Sequence, residues 1–184
     1  MVFFALVVFG LIIGEKILRT RREEADRELW STEIESLSYT NRKYEYILNY
    51  TSDWKMNEKN FDEWNRWQKT FDQSSSFLEF NIKISPIIGD QGLISHLYRI
   101  DEEWINSDEL PSSVKILTTE ETEFFGFQAV KRKENLDDDR FSRHILYFEK
   151  DGLVFELSLN WLGVEEETVT STYERFLKDF SFLK

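Results

Sequence analysis

The chain has 184 residues, a formal net charge of −12 and no cysteine, and these facts bound what it can do. The length suffices for one folded domain with its own core, and an aromatic content of 16% excludes a disordered chain. The negative charge disfavours nucleic acid as a partner, since phosphates are bound by Lys and Arg. Without cysteine there is no disulfide, thiol nucleophile or thiolate metal site.

The first eighteen residues form an apolar segment that predicts a transmembrane anchor. Residues 2–13 read VFFALVVFGLII and contain no charge. At ~1.5 Å per helical residue, residues 1–18 would span roughly 27 Å, slightly less than the ~30 Å hydrocarbon layer, and Lys16 can reach the lipid headgroups. A cleaved signal peptide and a buried core helix are the alternatives. A signal peptide is disfavoured because the sequence shows no basic region before the apolar segment and no A-x-A-like cleavage site.

The orientation of this anchor depends on the basic residues beside it. Lys16, Arg19, Arg21 and Arg22 all follow the apolar segment. By the positive-inside rule they would hold the rest of the chain in the cytoplasm. A basic leader upstream of Met1 would favour the opposite orientation.

A charged stalk is predicted over residues 19–38, before a globular domain over residues 39–184. The first half of the stalk is nearly all charged, with opposite charges four residues apart, as in an exposed helix. Trp30, Ile34 and Leu37 then follow at helical spacing, so we expect the end of the stalk to pack on the domain. A dimerising coiled coil is the alternative, but the heptads are not sustained.

Two strands and an aromatic segment are predicted in the first half of the domain. Residues 44–50 (YEYILNY) and 77–85 (FLEFNIKIS) alternate apolar and polar side chains at the two-residue period of a half-buried strand. Between them, aromatic residues recur at near-helical spacing, which predicts a short amphipathic helix or an aromatic-rich loop. These residues are Phe61, Trp64, Trp67 and Phe71.

The second half predicts helices and hairpin-linked strands. Apolar residues at helical spacing predict a helix between Gly92 and Pro111, and three glutamates at residues 165–167 open a final helix with an apolar face. The Asp151-Gly152 pair between two apolar runs predicts a hairpin. Two further strands are predicted before this hairpin, over residues 114–119 and 124–133. We expect an α+β fold in which helices sandwich an antiparallel sheet.

The order of these segments resembles the PsbP-like family. The resembling stretches are YEYILNYTSDW, FLEFNIKIS, the helix ending near Trp104, EETEFFGFQAV, the hairpin ending in FELSLN, and YERFLKDFSFL. The resemblance implies an α/β/α sandwich, a membrane-tethered extracytoplasmic setting, and binding of other macromolecules without catalysis. The chain departs from the family at Thr51, where proline is usual, and in an enlarged segment over residues 56–76. No photosynthetic role is implied.

The sequence contains no recognisable catalytic or metal-binding motif. Its two histidines, His96 and His144, do not lie at a spacing that brings two ligands to one face. The acidic stretch 137–139 attracts cations in principle, but it lacks the glycine and glutamate of an EF-hand, and a solvated loop is the simpler interpretation. We therefore expect no catalytic residue, no cofactor and no metal site.

The strongest candidate for a binding surface is the aromatic segment. Tryptophan and arginine are enriched in interface hot spots, so the predicted partner-binding residues are Phe61, Trp64, Arg66 and Trp67. Burial of the tryptophans in the core is the alternative. The predicted function is a membrane-tethered, non-catalytic binding module of the cell envelope that recognises a protein or another envelope component. The competing functions are a hydrolase or metal-dependent enzyme with a dispersed site, and a small-molecule or lipid carrier.

Overall fold

The computed structural model describes residues 34–57, 62–71, 76–87, 92–105, 114–136 and 141–183. The predicted anchor over residues 1–18, most of the predicted stalk, Phe61 and the acidic stretch 137–139 lie outside these ranges. In the part of the chain that the structure describes, no helix is long and apolar enough to cross a membrane. Residues 36–184 form one compact unit.

Over the described ranges, this unit contains ten strands and two helices. The strands are β1 (Ser36–Asn41), β2 (Tyr46–Thr51), β3 (Lys55–Met56), β4 (Trp64–Thr70), β5 (Phe77–Pro86), β6 (Val114–Phe124), β7 (Phe127–Leu136), β8 (Phe141–Lys150), β9 (Leu153–Leu162) and β10 (Phe180–Phe182). The helices are α1 (Gly92–Ile105) and α2 (Glu166–Asp179).

The strands form two sheets with antiparallel pairing. The large sheet has the order β3-β4-β5-β9-β8-β7-β6, and the small sheet has the order β1-β2-β10. The large sheet contains two hairpins with two-residue turns, one at Asp151-Gly152 and one at Phe125-Gly126. All four residues have φ > 0, as such turns between antiparallel strands require. The predicted hairpin at Asp151 is therefore confirmed.

The main core lies between the large sheet, α2 and the small sheet. Alternate residues of β5 are buried on this face, while Val169, Tyr173 and Phe176 form the buried stripe of α2 at helical spacing. Phe176 stacks on Phe80 with ring centroids 4.2 Å apart. Full burial of each such side chain contributes ~1.5–3 kcal/mol, so this face dominates the stability of the domain.

A second, smaller core lies on the opposite face of the large sheet, under α1. Leu93 and Leu97 of α1 pack there with Val130, Ile145 and Tyr147 of the central strands. Helices thus cover both faces of the sheet, and the predicted antiparallel sandwich is confirmed. We call the two sides of the large sheet the α1 face and the α2 face.

Two predicted elements are wrong in type. The first is the end of the stalk, since Leu37 belongs to β1, which pairs with β2 and begins the domain at Ser36. The second is the aromatic segment, where Trp64–Thr70 is strand β4, paired along its whole length with β5. A spacing of three residues fits a helix, but on a strand it places the two side chains on opposite faces.

Candidate functional site

The α1 face carries rows of polar side chains that cross the sheet. Directly paired residues of neighbouring antiparallel strands point to the same face, so the pairing register defines each row. One row runs through Gln68, Glu79, Asn160, Arg143 and Glu134, and the next runs through Arg66, Asn81, Ser158, Ile145 and Arg132. This concentration of polar groups distinguishes the α1 face from the largely apolar α2 face.

At the β4 end of these rows, Trp64 and Arg66 form an exposed aromatic and cationic pair, which we call the Trp64–Arg66 surface. Trp64 is 45% exposed, and the Arg66 guanidinium lies 4.7 Å from the centre of its ring. The indole Nε1 donates a hydrogen bond to Asn81 Oδ1 at 3.2 Å. The ring is therefore held in one orientation while much of its surface stays open to solvent.

Glu79 supports this surface from the adjacent strand. Its Oε2 lies 3.5 Å from Arg66 Nε, and its Oε1 accepts hydrogen bonds from Asn81 Nδ2 at 3.2 Å and Asn160 Nδ2 at 3.3 Å. Because Asn81 in turn accepts from Trp64, the network connects both members of the surface to one carboxylate. The surface is thus preorganised by β5 and β9.

The four predicted binding residues do not form one patch. Trp67 is fully buried on the α2 face, where its ring lies 5.5 Å from Tyr39, 6.0 Å from Tyr50 and 6.1 Å from Phe80. Trp64 and Arg66 share the α1 face because they are two residues apart on a strand. The structure therefore brings these two together and places Trp67 in the core, while Phe61 lies outside the described residues.

A charged network that sequence reasoning missed joins α1 to the sheet. Arg132 makes a bidentate ion pair with Asp101 of α1 at 2.7 and 2.8 Å. Beside it, Glu134 is only 2% exposed and accepts from Arg143 Nε at 2.7 Å. Burial raises the pKa of Glu134, and the neighbouring Arg143 only partly offsets this. The alternation of Arg132 and Glu134 on one strand was the available signal, but only the fold reveals their partners.

The two histidines lie on opposite faces of the large sheet. His144 is on the α2 face, with its ring 4.9 Å from Trp161 and 5.7 Å from Tyr173, and burial together with the nearby Lys133 lowers its pKa. His96 is buried on α1, on the other side. The two imidazoles therefore belong to separate sites. Over the described ranges, no group of three or more His, Asp or Glu side chains is placed to hold a metal ion.

The fold is similar to several solved structures. The cyanobacterial PsbP protein (CyanoP) of Synechocystis is 13% identical, with a TM-score of 0.59 over 80% of this chain and 92% of that one. PA94 of Pseudomonas aeruginosa, a protein of unknown function, is 14% identical, with a TM-score of 0.53 over 76% and 92%. A Bacteroides thetaiotaomicron protein is 12% identical, with a TM-score of 0.51 over 80% and 48%.

These similarities concern three-dimensional structure rather than sequence. No protein-family model and no curated protein matches the sequence. The structural matches establish that the chain has the PsbP-like fold, as the order of its segments predicts.

Proposed function

We propose that this chain, which has the PsbP-like fold, is a non-catalytic binding module of the cell envelope that a helix over residues 1–18 holds at a membrane. Its partner is a protein or another envelope component, and the Trp64–Arg66 surface is where that partner binds. The observation that carries the proposal is an exposed tryptophan whose ring is fixed by Asn81 and covered on one side by Arg66.

The chemistry of this surface favours partner recognition. A tryptophan that is already held in one orientation loses little conformational freedom when a partner covers it, so more of its apolar burial contributes to affinity. The Arg66 guanidinium adds donors beside the ring, and Glu79 fixes the direction of that side chain. Such a combination of aromatic and arginine side chains is typical of interface hot spots.

The ionisable groups of the α1 face support a binding role over a catalytic one. Asp101 and Glu134 are paired with Arg132 and Arg143, so both carboxylates have a structural role in joining α1 and the strands.

The competing enzyme hypothesis predicts a pocket that holds a histidine beside carboxylates, and it is weakened if the two histidines lie on separate surfaces. His144 does line a groove with Glu120 and Glu174, whereas His96 lies on the opposite face of the sheet. We therefore keep the non-catalytic module as the proposed function.

Replacing Trp64 with alanine should abolish partner capture without unfolding the domain. Truncation of a hot-spot tryptophan weakens binding by at least about 2 kcal/mol, or roughly thirtyfold. Because Trp64 is half exposed on the outer part of the sheet, we expect the free energy of unfolding to change by less than about 1 kcal/mol. The measurement is affinity capture of the full-length protein from its own crosslinked membranes, with unfolding followed by urea titration.

Tyr98 provides the matched control for this experiment. It is an aromatic residue on α1 with 66% of its surface exposed, and Tyr98→Ala should leave capture unchanged. Recovery of the same partner by the Trp64→Ala protein at undiminished yield would refute the site. Equal loss in both variants would point to a different surface.

We also propose that the domain lies outside the cytoplasm, as the PsbP-like resemblance suggests. The positive charges after residue 18 argue for the opposite side, so the proposal needs a direct test. A periplasmic reporter such as alkaline phosphatase, fused after the last residue, should be active in cells. Activity of a cytoplasmic reporter alone at the same position would place the domain inside.

A further inference from the structure

A groove lies on the α2 face, between α2 and the ends of β6 and β7. Its volume is about 220 Å³, less than the ~300–1,000 Å³ of a typical drug-sized ligand site, so it can hold only a ligand of a few heavy atoms. Polar side chains from both strands and from the helix line it, together with the apolar side of Leu177 and the ring of Tyr173. The polar lining includes Glu120, Lys131, Lys133, His144 and Glu174.

The groove interrupts an otherwise apolar face. On β5, β8 and β9 the residues that point to the α2 face are almost all aliphatic or aromatic, and they belong to the main core. Beside α2, His144 of β8 and Lys131 and Lys133 of β7 bring polar groups to this face. The groove therefore combines the apolar contacts of Tyr173 and Leu177 with several groups that can bind a polar ligand.

Both signs of charge are present in the groove, and only some of these charges are paired with each other. Lys133 pairs with Glu166 of α2, so its charge is already matched. Lys131 lies directly opposite Glu120 in the pairing of β6 with β7, yet their side chains form no ion pair. Within the described residues the Glu174 carboxylate also has no cationic partner. The exposed residues Lys131, Glu120 and Glu174 thus bring an ammonium and two carboxylates to one groove.

The imidazole of His144 adds both a hydrogen-bond donor and a hydrogen-bond acceptor to the groove. Its ring is held edge-on by Trp161 and Tyr173, and its nitrogens form no hydrogen bond with any residue in the described ranges. Burial and Lys133 lower its pKa, so the ring is neutral near pH 7 and offers one donor and one acceptor. The charged groups facing it are Lys131 and Lys133 of β7, Glu120 of β6, and Glu166 and Glu174 of α2.

We infer that this groove binds a small zwitterion, namely a free amino acid with an aliphatic side chain. Lys131 and His144 bind the carboxylate of the ligand, and Glu120 and Glu174 bind its ammonium group. Leu177 and Tyr173 contact its side chain. A simple anion would meet two carboxylates and a simple cation would meet Lys131, whereas a zwitterion satisfies both ends. This site is separate from the Trp64–Arg66 surface, which lies on the other face of the sheet.

The two histidines make the inference directly testable by NMR. The full-length protein in detergent, labelled in its histidine rings, gives one signal for each, and His96 on the α1 face is the internal reference. Titration with L-leucine should shift the His144 signal along a saturable curve and leave the His96 signal in place. The half-molecules 4-methylpentanoate and 3-methylbutylamine each lack one charge and should bind at least about tenfold more weakly.

Variants assign the two ends of the ligand. Lys131→Met and the double variant Glu120→Gln/Glu174→Gln should each weaken the leucine titration about tenfold or more, since each removes one charged contact. Lys178→Met, on the same helix but outside the groove, should leave it unchanged. If leucine and either half-molecule bound with the same affinity, the zwitterion site would be refuted. It would also be refuted by movement of both histidine signals together, or by the absence of a saturable shift.

Discussion

Replacing Trp67 with alanine should lower the free energy of unfolding by about 3–5 kcal/mol, the usual cost of removing a buried tryptophan. Its side chain is fully buried and lies among Tyr39, Tyr50 and Phe80, so the truncation leaves a cavity between β4 and the small sheet. Urea unfolding of the full-length protein, followed by circular dichroism, measures the loss.

Trp67→Phe should cost far less than Trp67→Ala. The indole Nε1 is buried and has no hydrogen-bond partner among the described residues, so phenylalanine removes an unsatisfied donor while keeping most of the ring volume. We expect a loss of less than about 2 kcal/mol for this variant. If Trp67→Ala instead kept full stability and lost partner binding, Trp67 would belong to the binding surface and its place in the core would be refuted.

Replacing Arg132 with methionine should destabilise the domain by about 1.5–3 kcal/mol, because it removes one partner from a partly buried, bidentate ion pair. Arg132 joins Asp101 of α1 to the sheet, and its guanidinium also lies 3.9 Å from the buried carboxylate of Glu134. Arg132→Lys should recover only part of the loss, since an ammonium cannot make the bidentate contact with Asp101.

The pH dependence of this variant provides an independent check. Burial raises the pKa of Glu134 in the folded protein above its ordinary value of 4.5, so protonation of this group favours folding. Loss of Arg132 strengthens that effect. The stability difference between the Arg132→Met variant and the parent protein should therefore shrink as the pH falls from neutral toward 4.5. If the stability difference between the two proteins did not change with pH, the pKa of Glu134 would not depend on Arg132.

Sequence reasoning recovered the elements whose residues follow one clear period. The strand Phe77–Pro86 alternates from Leu78 onward, α2 opens with glutamates and carries an apolar stripe, and the Asp151-Gly152 turn has its expected residues. The order of these elements was enough to identify the sandwich. Local pattern and tertiary packing agree in each of these cases.

The errors arose where tertiary contacts override the local pattern. On β4 both faces carry a tryptophan, one in the core and one exposed, so the strand lacks the polar alternation that identifies a half-buried strand. β1 and β10 have few buried residues of their own and depend on pairing with β2 for their strand conformation. Such non-local pairing leaves little signal in the segment itself.

The candidate site shows the same division. Sequence composition predicted Trp64 and Arg66 as interface residues, but not that Asn81 and Glu79, which follow their partners by 17 and 13 residues, hold them in place. The Asp101–Arg132 pair and the groove beside His144 are likewise built from residues on different strands and helices. These sites depend on the register between strands, which a single sequence does not specify.

The central claim is that a partner binds the Trp64–Arg66 surface, and site-specific photocrosslinking in the native membrane tests it most directly. A photoreactive amino acid is placed at position 64, at position 98 on α1, or at position 125 in the β6–β7 turn, where Phe125 is 53% exposed. We expect one defined crosslinked species from position 64 and none from the other two. The absence of a crosslink from position 64, with a defined species from position 125, would contradict the account.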